Sequence, residues 1–584
     1  MRTNGQKDGR RDKKQKESYL SWRQLFGFYR QMRIPWWLFI LTAAFSFGIK
    51  QLQVMLVPYQ SKIMTGAITE YGFLGGFIAI TIAYELVEIV QGGLNELSGV
   101  VTARNARRLV WRKMLHLPMS YYEKRDPQSL VSRVTQDTTG SYAALASIVQ
   151  LFSIIYGLYT SFQKMFITYK NLALIMLSVI PITMLSTWIV GKMQYKITYI
   201  INSSISAITS FFSERLPNIL HIKTSNMEDE EYKKGVKANN DRFKAEVKQE
   251  NIFIFMSPIS TMAQYINQII LLVVATALVR NGTMKMFQLV NLYNYFLLFM
   301  SNAFMITSAW QSVKNSHGAC ATIAKITDAE PENYEKGEPV GGEAEDIEFE
   351  DVSFSYDGTN KVLRNVSFTI PKGKITAIVG ENGSGKSTII KLLERFNELD
   401  SGSIRVGDKE LGEINLVQWR EAVGYLIQGE QMIKGNIAEN IAYGIDREYT
   451  QDELIEAAKL ANAYDFICSK EKGFETEVNR FETKCSGGEM QRIAIARIIM
   501  KKPKYLLMDE ATSGIDMVSA NEAIESLNRI MEGKTVIMVS HNMEMIKKAD
   551  HIVVLGDGEV KSSGTFEHVS ANSELFRNFL SPES

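Results

Sequence analysis

Six apolar stretches, near residues 35–59, 73–98, 140–168, 171–194, 252–280 and 287–312, fill the first half of this chain. A helix needs about 20 apolar residues to cross the hydrocarbon core of a bilayer. Backbone in lipid finds no water for its polar groups, so stretches of this length predict membrane-spanning helices. Six spans return the chain to the side from which it started. Residues 1–33 carry ten Lys and Arg against Asp8, Asp12 and Glu17, which places that side inside and leaves the short links near 60–72 and 281–286 outside. The long basic leader and full-length first span do not read as a cleavable signal peptide.

Residues 1–17 read as a disordered basic tail. Beyond it, Trp22, Leu25, Phe26, Tyr29 and Met32 fall on one helical stripe, with Arg23 and Arg30 off it. That pattern predicts an amphipathic helix lying in the headgroup layer, with a buried core helix as the alternative. Polar stretches that still read as helix separate spans two and three, and spans four and five. The first contains Ser120-Tyr121-Tyr122-Glu123, the second Glu214-Arg215-Leu216 and Glu228-Asp229-Glu230. On the second span, Glu85 and Glu88 share a face with Gly92 and Glu96. A charge near the bilayer centre costs about 2.5 to 3.5 kcal/mol on the lenient scale. These acids are therefore expected either to line a cavity or to pair with a base such as Lys50.

The composition changes after the last span. Residues 331–345 read as a polar linker and 346–584 as a soluble domain, following a membrane domain over 18–330. In the soluble domain the apolar run Ile375 to Val379 leads into Gly380-Glu381-Asn382-Gly383-Ser384-Gly385-Lys386-Ser387-Thr388 and then Ile389-Ile390. Strand, glycine-rich loop and helix in that order make a nucleotide phosphate site. Backbone N–H groups close around the phosphates, the helix N-terminus adds its positive dipole end, Lys386 reaches the terminal phosphates and Ser387 can hold Mg²⁺. Downstream, Cys485-Ser486-Gly487-Gly488-Glu489 opens a helical stretch, and Tyr505-Leu506-Leu507-Met508-Asp509-Glu510 ends a strand on two carboxylates. Adjacent side chains on a strand point opposite ways, so Asp509 and Glu510 suit two different roles.

This combination resembles the ATP-binding cassette family: residues 346–576 resemble its nucleotide-binding domain, and 18–330 its six-helix exporter-type membrane domain. The expected fold is an α-helical six-span domain fused to an α/β P-loop ATPase with a helical subdomain. The resemblance implies that Tyr356 stacks on adenine, that Asp509 holds Mg²⁺, and that Glu510 deprotonates the attacking water. By the same resemblance Gln428 contacts Mg²⁺ and that water, and His541 contacts the γ-phosphate. Ser486, Gly487 and Gly488 bind the γ-phosphate from a second cassette, and Asp516 belongs to the loop that follows Glu510. The two polar extensions resemble the coupling regions of exporters. The chain departs from the family pattern at Gln128, where glycine is usual, at Cys485, where leucine is usual, and at Glu489, where glutamine is usual.

One cassette and six spans imply a pair of chains, either two copies of this one or this one with a related half-transporter. The expectation is ATP-driven export of a small molecule, peptide or lipid across a bacterial plasma membrane, with the N-terminus and ATPase domain cytoplasmic. A non-transport ATP-gated channel or sensor ATPase is the alternative. Net charge of +1 supplies no basic excess for nucleic acid. The three cysteines, Cys320, Cys468 and Cys485, are too scattered for a disulfide framework or metal cluster and read as reduced thiols. Cys485, at a helix start, is expected to lean towards thiolate.

Overall fold

The computed structural model describes residues 22–66, 71–123, 130, 134–135, 138–177, 204–205, 207–427, 432–478, 485–509 and 517–580. It falls into two compact units, Met1–Leu117 with Arg125–Glu330, and Pro118–Lys124 with Pro331–Ser584.

The first unit is helical. Its helices Trp36–Met64, Tyr71–Leu115, Thr138–Thr168, Glu228–Arg280 and Met286–Thr327 are 29, 45, 31, 53 and 42 residues long. Among the described residues, four segments are long and apolar enough to cross a membrane: Trp36–Met64, Gly72–Leu115, Gly140–Thr168 and Met286–Trp310. They coincide with the first, second, third and sixth expected spans. The fifth is shorter as an apolar segment, Tyr265–Arg280, at the end of a helix that starts on the charged run Glu228 to Glu231. The fourth is described only over Lys170–Leu177, and its remainder lies outside the described residues, as do Gln128 and the tail 1–17.

Packing between these helices uses both large and small side chains. Val54, Val57, Met165, Leu172, Leu292, Phe296 and Phe299 bury one another. Polar residues on the same helices bond within their own backbone: Thr42 Oγ1 donates to Leu38 O at 2.8 Å, and Ser46 Oγ to Thr42 O at 2.7 Å. That satisfies hydroxyls where water is scarce. Gly157 lets Asn302 approach, since a Cβ there would meet its Nδ2 and Oδ1 at 3.0 Å.

The N-terminal helix corrects one expectation. It forms over Trp22–Gln31, but Phe28, Tyr29 and Met32 are buried, and Tyr29 Oη donates to Ser141 O at 2.8 Å. This part of the apolar stripe is a protein-packing face, because a helical bundle beside it offers both apolar contact and a carbonyl acceptor.

Among the described residues, the second unit contains three sheets. The largest joins β3 (Ile375–Gly380), β6 (Val423–Leu426), β9 (Tyr505–Asp509), β10 (Thr535–Val539), β11 (His551–Gly556) and β12 (Glu559–Gly564) in the order β12-β11-β3-β10-β9-β6. All its pairings are parallel except that of β11 with β12. The strands β9 and β10 are almost wholly buried, as expected of parallel strands covered on both faces. A four-stranded antiparallel sheet, β2-β1-β4-β5, comprises β1 (Ile347–Ser355), β2 (Lys361–Ile370), β4 (Ser401–Val406) and β5 (Lys409–Glu410). A small ribbon pairs β7 (Gly435–Asn436) with β8 (Glu477–Val478).

Two apolar clusters flank the large sheet. One side packs Phe349, Leu363, Ile389, Leu393, Trp419 and Tyr505, and the other packs Leu454, Ala457, Ile493, Ile495, Leu527 and Ile546. Helix starts in this unit are locally specified: Thr450 with Glu453, and Ser486 with Glu489, form reciprocal capping boxes. Residues Glu332 and Tyr334, within the stretch read as a linker, are held by Arg420. Its guanidinium grips the Glu332 carboxylate through two bonds of 2.8 and 2.9 Å, and Tyr334 Oη donates to the same group at 2.5 Å.

Candidate nucleotide site

The strand order determines the site. Parallel β3, β10 and β9 are neighbours, with Val539 opposite both Ile378 and Asp509. Their carboxyl ends therefore open together, which is where ligands bind in open parallel sheets. The loop 380–385 leaves β3, Asp509 ends β9, and His541 follows β10 by two residues.

The loop is shaped for close approach of its backbone. Gly380 has φ +153°, and a Cβ there would lie 2.2 Å from Leu555 O; Gly385 has φ +103°, and a Cβ would strike Leu363 Cδ2 at 2.6 Å. Only glycine fits either position. Gly385 caps the helix Lys386–Leu393, so the loop delivers its N–H groups to the positive end of that helix. Lys386 is buried and its Nζ donates to the carbonyls of Gly380 and Glu381 at 2.8 and 2.9 Å. The amine is thus held across the mouth of the loop that Glu381, Asn382 and Gly383 complete.

Two observations test whether this cradle suits a nucleotide phosphate with Mg²⁺. Ser384 Oγ is buried without a hydrogen-bond partner among the described residues, which is costly unless a ligand supplies one. Ser387 Oγ donates to Asp509 Oδ1 at 3.2 Å. A hydroxyl beside a carboxylate is an all-oxygen donor pair of the kind Mg²⁺ prefers. The residues present fit both groups.

One other expected residue lies beside the loop. Tyr356 Oη lies 3.2 Å from Thr388 Oγ1, and its ring stands edge-on to Phe354 at 4.9 Å. Lys391 Nζ lies 5.3 Å from the Tyr356 ring and donates at 2.7 Å to Glu123 Oε1, in the Pro118–Lys124 segment that groups with this unit. His541 is exposed, 5.5 Å from the Phe579 ring. Gln428, Glu510 and Asp516 lie outside the described residues. The described strands β6 and β9 end two residues before Gln428 and one before Glu510.

Ser486 caps the helix Gly487–Lys501, in which Gly488 is buried. Cys485 behaves otherwise than expected. Burial pushes its thiol up, Lys470 draws it down and Glu489 pushes it up again, so the net direction is away from thiolate. Desolvation prevails because the sulfur is packed into the core. Sequence reasoning also missed the partner of Glu489, which is Lys470, with Nζ at 3.0 Å. Nothing in the local pattern marks that lysine.

In the helical unit, Glu85 and Glu88 are both exposed on the helix Tyr71–Leu115. Lys50 Nζ reaches Gln53 Oε1 at 3.5 Å, and Gln53 Nε2 donates to Tyr84 Oη at 3.2 Å.

Comparison with known proteins agrees with this geometry. Residues 363–513 match the family described as ABC transporter, and residues 36–304 match the ABC transporter transmembrane region. The chain is 28% identical over 554 residues to a multidrug resistance ABC transporter ATP-binding and permease protein of Lactococcus lactis subsp. lactis, covering 94% of each. It is 30% identical over 477 residues to an ATP-dependent lipid A-core flippase of Vibrio parahaemolyticus, covering 80% of this chain and 81% of that one. The flippase of that name from Escherichia coli K12 is 29% identical over 489 residues, covering 82% and 83%.

Proposed function

The chain belongs to the ABC transporter family, a membrane-embedded transport ATPase that drives export, and we propose that it works as a pair of copies that alternate access across the plasma membrane. ATP bound at 380–388 of one copy is closed over by Ser486, Gly487 and Gly488 of the other. Binding draws the cassettes together, and hydrolysis releases them, so nucleotide free energy is converted into a change of membrane-domain conformation. The N-terminus and the ATPase unit face the cytoplasm on this reading, in keeping with the basic leader.

The observation that carries the reading is the meeting of Ser387 with Asp509 beside the buried Lys386 and a Ser384 hydroxyl that has no partner among the described residues. Mg²⁺, when bound there, supplies charge neutralisation on the terminal phosphates, and Ser387, Asp509 and Gln428 are the residues to hold it. Lys386 and the loop N–H groups orient the phosphates. Tyr356 offers its ring to adenine. Glu510 takes the proton from the attacking water, while His541 steadies the γ-phosphate. The substrate is a lipid-like or drug-like amphiphile, by analogy with the multidrug and lipid A-core relatives. Pairing with a related half-transporter is the second reading, favoured by Glu489 standing where glutamine is usual.

The test uses the full-length protein in sealed vesicles. Glu510→Gln is expected to retain ATP binding and to lose at least about 10²-fold in turnover, the typical worth of a general base. Near-normal hydrolysis in this variant would reject the assignment. Substrate accumulation driven by ATP separates transport from a channel or sensor role, and a single chain species in the active assembly separates the homodimer from a mixed pair.

A further inference from the structure

The helix Gly487–Lys501 carries an acid at its own positive end. Glu489 Oε2 accepts from Ser486 N at 2.7 Å, and Ser486 Oγ accepts from Glu489 N at 3.2 Å. A helix N-terminus is equivalent to roughly half a positive charge, so a full carboxylate in the first turn leaves that end net negative. Lys470 restores the sign. Its Nζ lies 3.0 and 3.2 Å from the two oxygens of Glu489, with the side chains only 20% and 18% exposed. A partly buried pair of this kind is screened less than one in open solvent. The amine is steered by the Phe466 ring, 5.8 Å away, against which Arg492 of the same helix also packs, at 5.1 Å.

We propose that Lys470 is a positioning residue for ATP hydrolysis: by neutralising Glu489 it keeps the N-terminus of Gly487–Lys501 able to accept the terminal phosphate of ATP. The inference rests on the reading that Ser486 to Gly488 form part of the ATP site. Without Lys470, the Glu489 carboxylate loses the amine that neutralises it at the end of the helix that is to receive the phosphate.

The experiment measures steady-state hydrolysis of MgATP by the full-length protein in lipid nanodiscs. Removing one charge that acts across a few ångströms at a partly shielded site changes affinity by about tenfold or more. Lys470→Ala is therefore expected to raise KM for ATP by about that factor with kcat changed by less than about twofold, and added KCl should shrink the deficit. Adding Glu489→Gln to Lys470→Ala should return KM to the wild-type range, because glutamine still caps the helix but carries no charge. A KM unchanged in Lys470→Ala, or raised and not restored by the second substitution, would overturn the proposal. Glu489→Gln alone guards against misfolding of the lysine variant: it should lower KM, and an unchanged or raised KM counts against the proposal. Gly487→Asp separates the two levels of argument. If it leaves hydrolysis intact, the reading of this helix as part of the ATP site fails; if it abolishes hydrolysis while Lys470→Ala has no effect, only the role of Lys470 fails.

Discussion

Ser387 and Asp509, 122 residues apart in the chain, meet at 3.2 Å. The contact exists because β9 and β3 flank β10 in one parallel sheet and end at the same level. Removing either oxygen donor should loosen the hold on Mg²⁺. Ser387→Ala and Asp509→Asn are each expected to lower hydrolysis by about 10²-fold at limiting Mg²⁺, the scale of losing one electrostatic stabiliser. Titrating activity against Mg²⁺ checks this: the midpoint should move to higher concentration in both variants, and an unmoved midpoint would assign the pair a purely structural role.

Glu394 supplies a pH dependence. It is buried at the end of the Lys386–Leu393 helix, and burial pushes its carboxyl up from an ordinary 4.5 to about 7, against the pull of Lys501 and Arg420. A folded-state value above the unfolded one means that the native protein holds the extra proton between about 4.5 and about 7. The contribution to stability is therefore fully present below 4.5, declines as pH rises through that window, and is gone above about 7. The whole swing amounts to roughly 3 kcal/mol. Glu394→Gln, neutral at every pH, should flatten the change in thermal midpoint between pH 5 and 7.5 relative to wild type. An equally steep wild-type and variant profile would place the titration elsewhere.

The thiols should react in an order set by access. Cys468 is exposed, whereas Cys320 and Cys485 are buried, and burial pushes the Cys485 thiol up. A maleimide added to the native protein at neutral pH is expected to label Cys468 well before the other two, with little loss of ATPase activity. Rapid inhibition that Cys485→Ala abolishes would show that the thiolate at the helix start is available after all.

Glu85 and Glu88 are exposed on their helix, and Lys50, which reaches Gln53, also lies close enough to Glu88 to interact with its charge. Two carboxylates on one face of a span favour a cavity wall that attracts cations, since lipid would penalise them. Changing both to Gln should weaken stimulation of ATPase by cationic amphiphiles much more than basal activity. Equal stimulation by cationic and neutral ligands in wild type and variant would leave these acids a structural role only.

The sequence by itself determined what short-range chemistry can encode. Glycines at 380, 383 and 385, followed by Lys386 and Ser387, specify a phosphate loop because the turn, the amine and the hydroxyl are all within one strand–helix junction. Apolar length alone located the spans near 35–59, 73–98, 140–168 and 287–312, because a helix in lipid must satisfy its backbone internally. The tertiary structure decided whatever depends on distant neighbours. The order of β3, β10 and β9 brought Asp509 to Ser387, and tertiary packing brought Lys470 to Glu489 on the helix Gly487–Lys501. Packing turned Phe28, Tyr29 and Met32 inward. It also reversed the expected leaning of Cys485, since the loss of hydration on burial is a property of everything packed around a sulfur and not of the residues beside it in the chain.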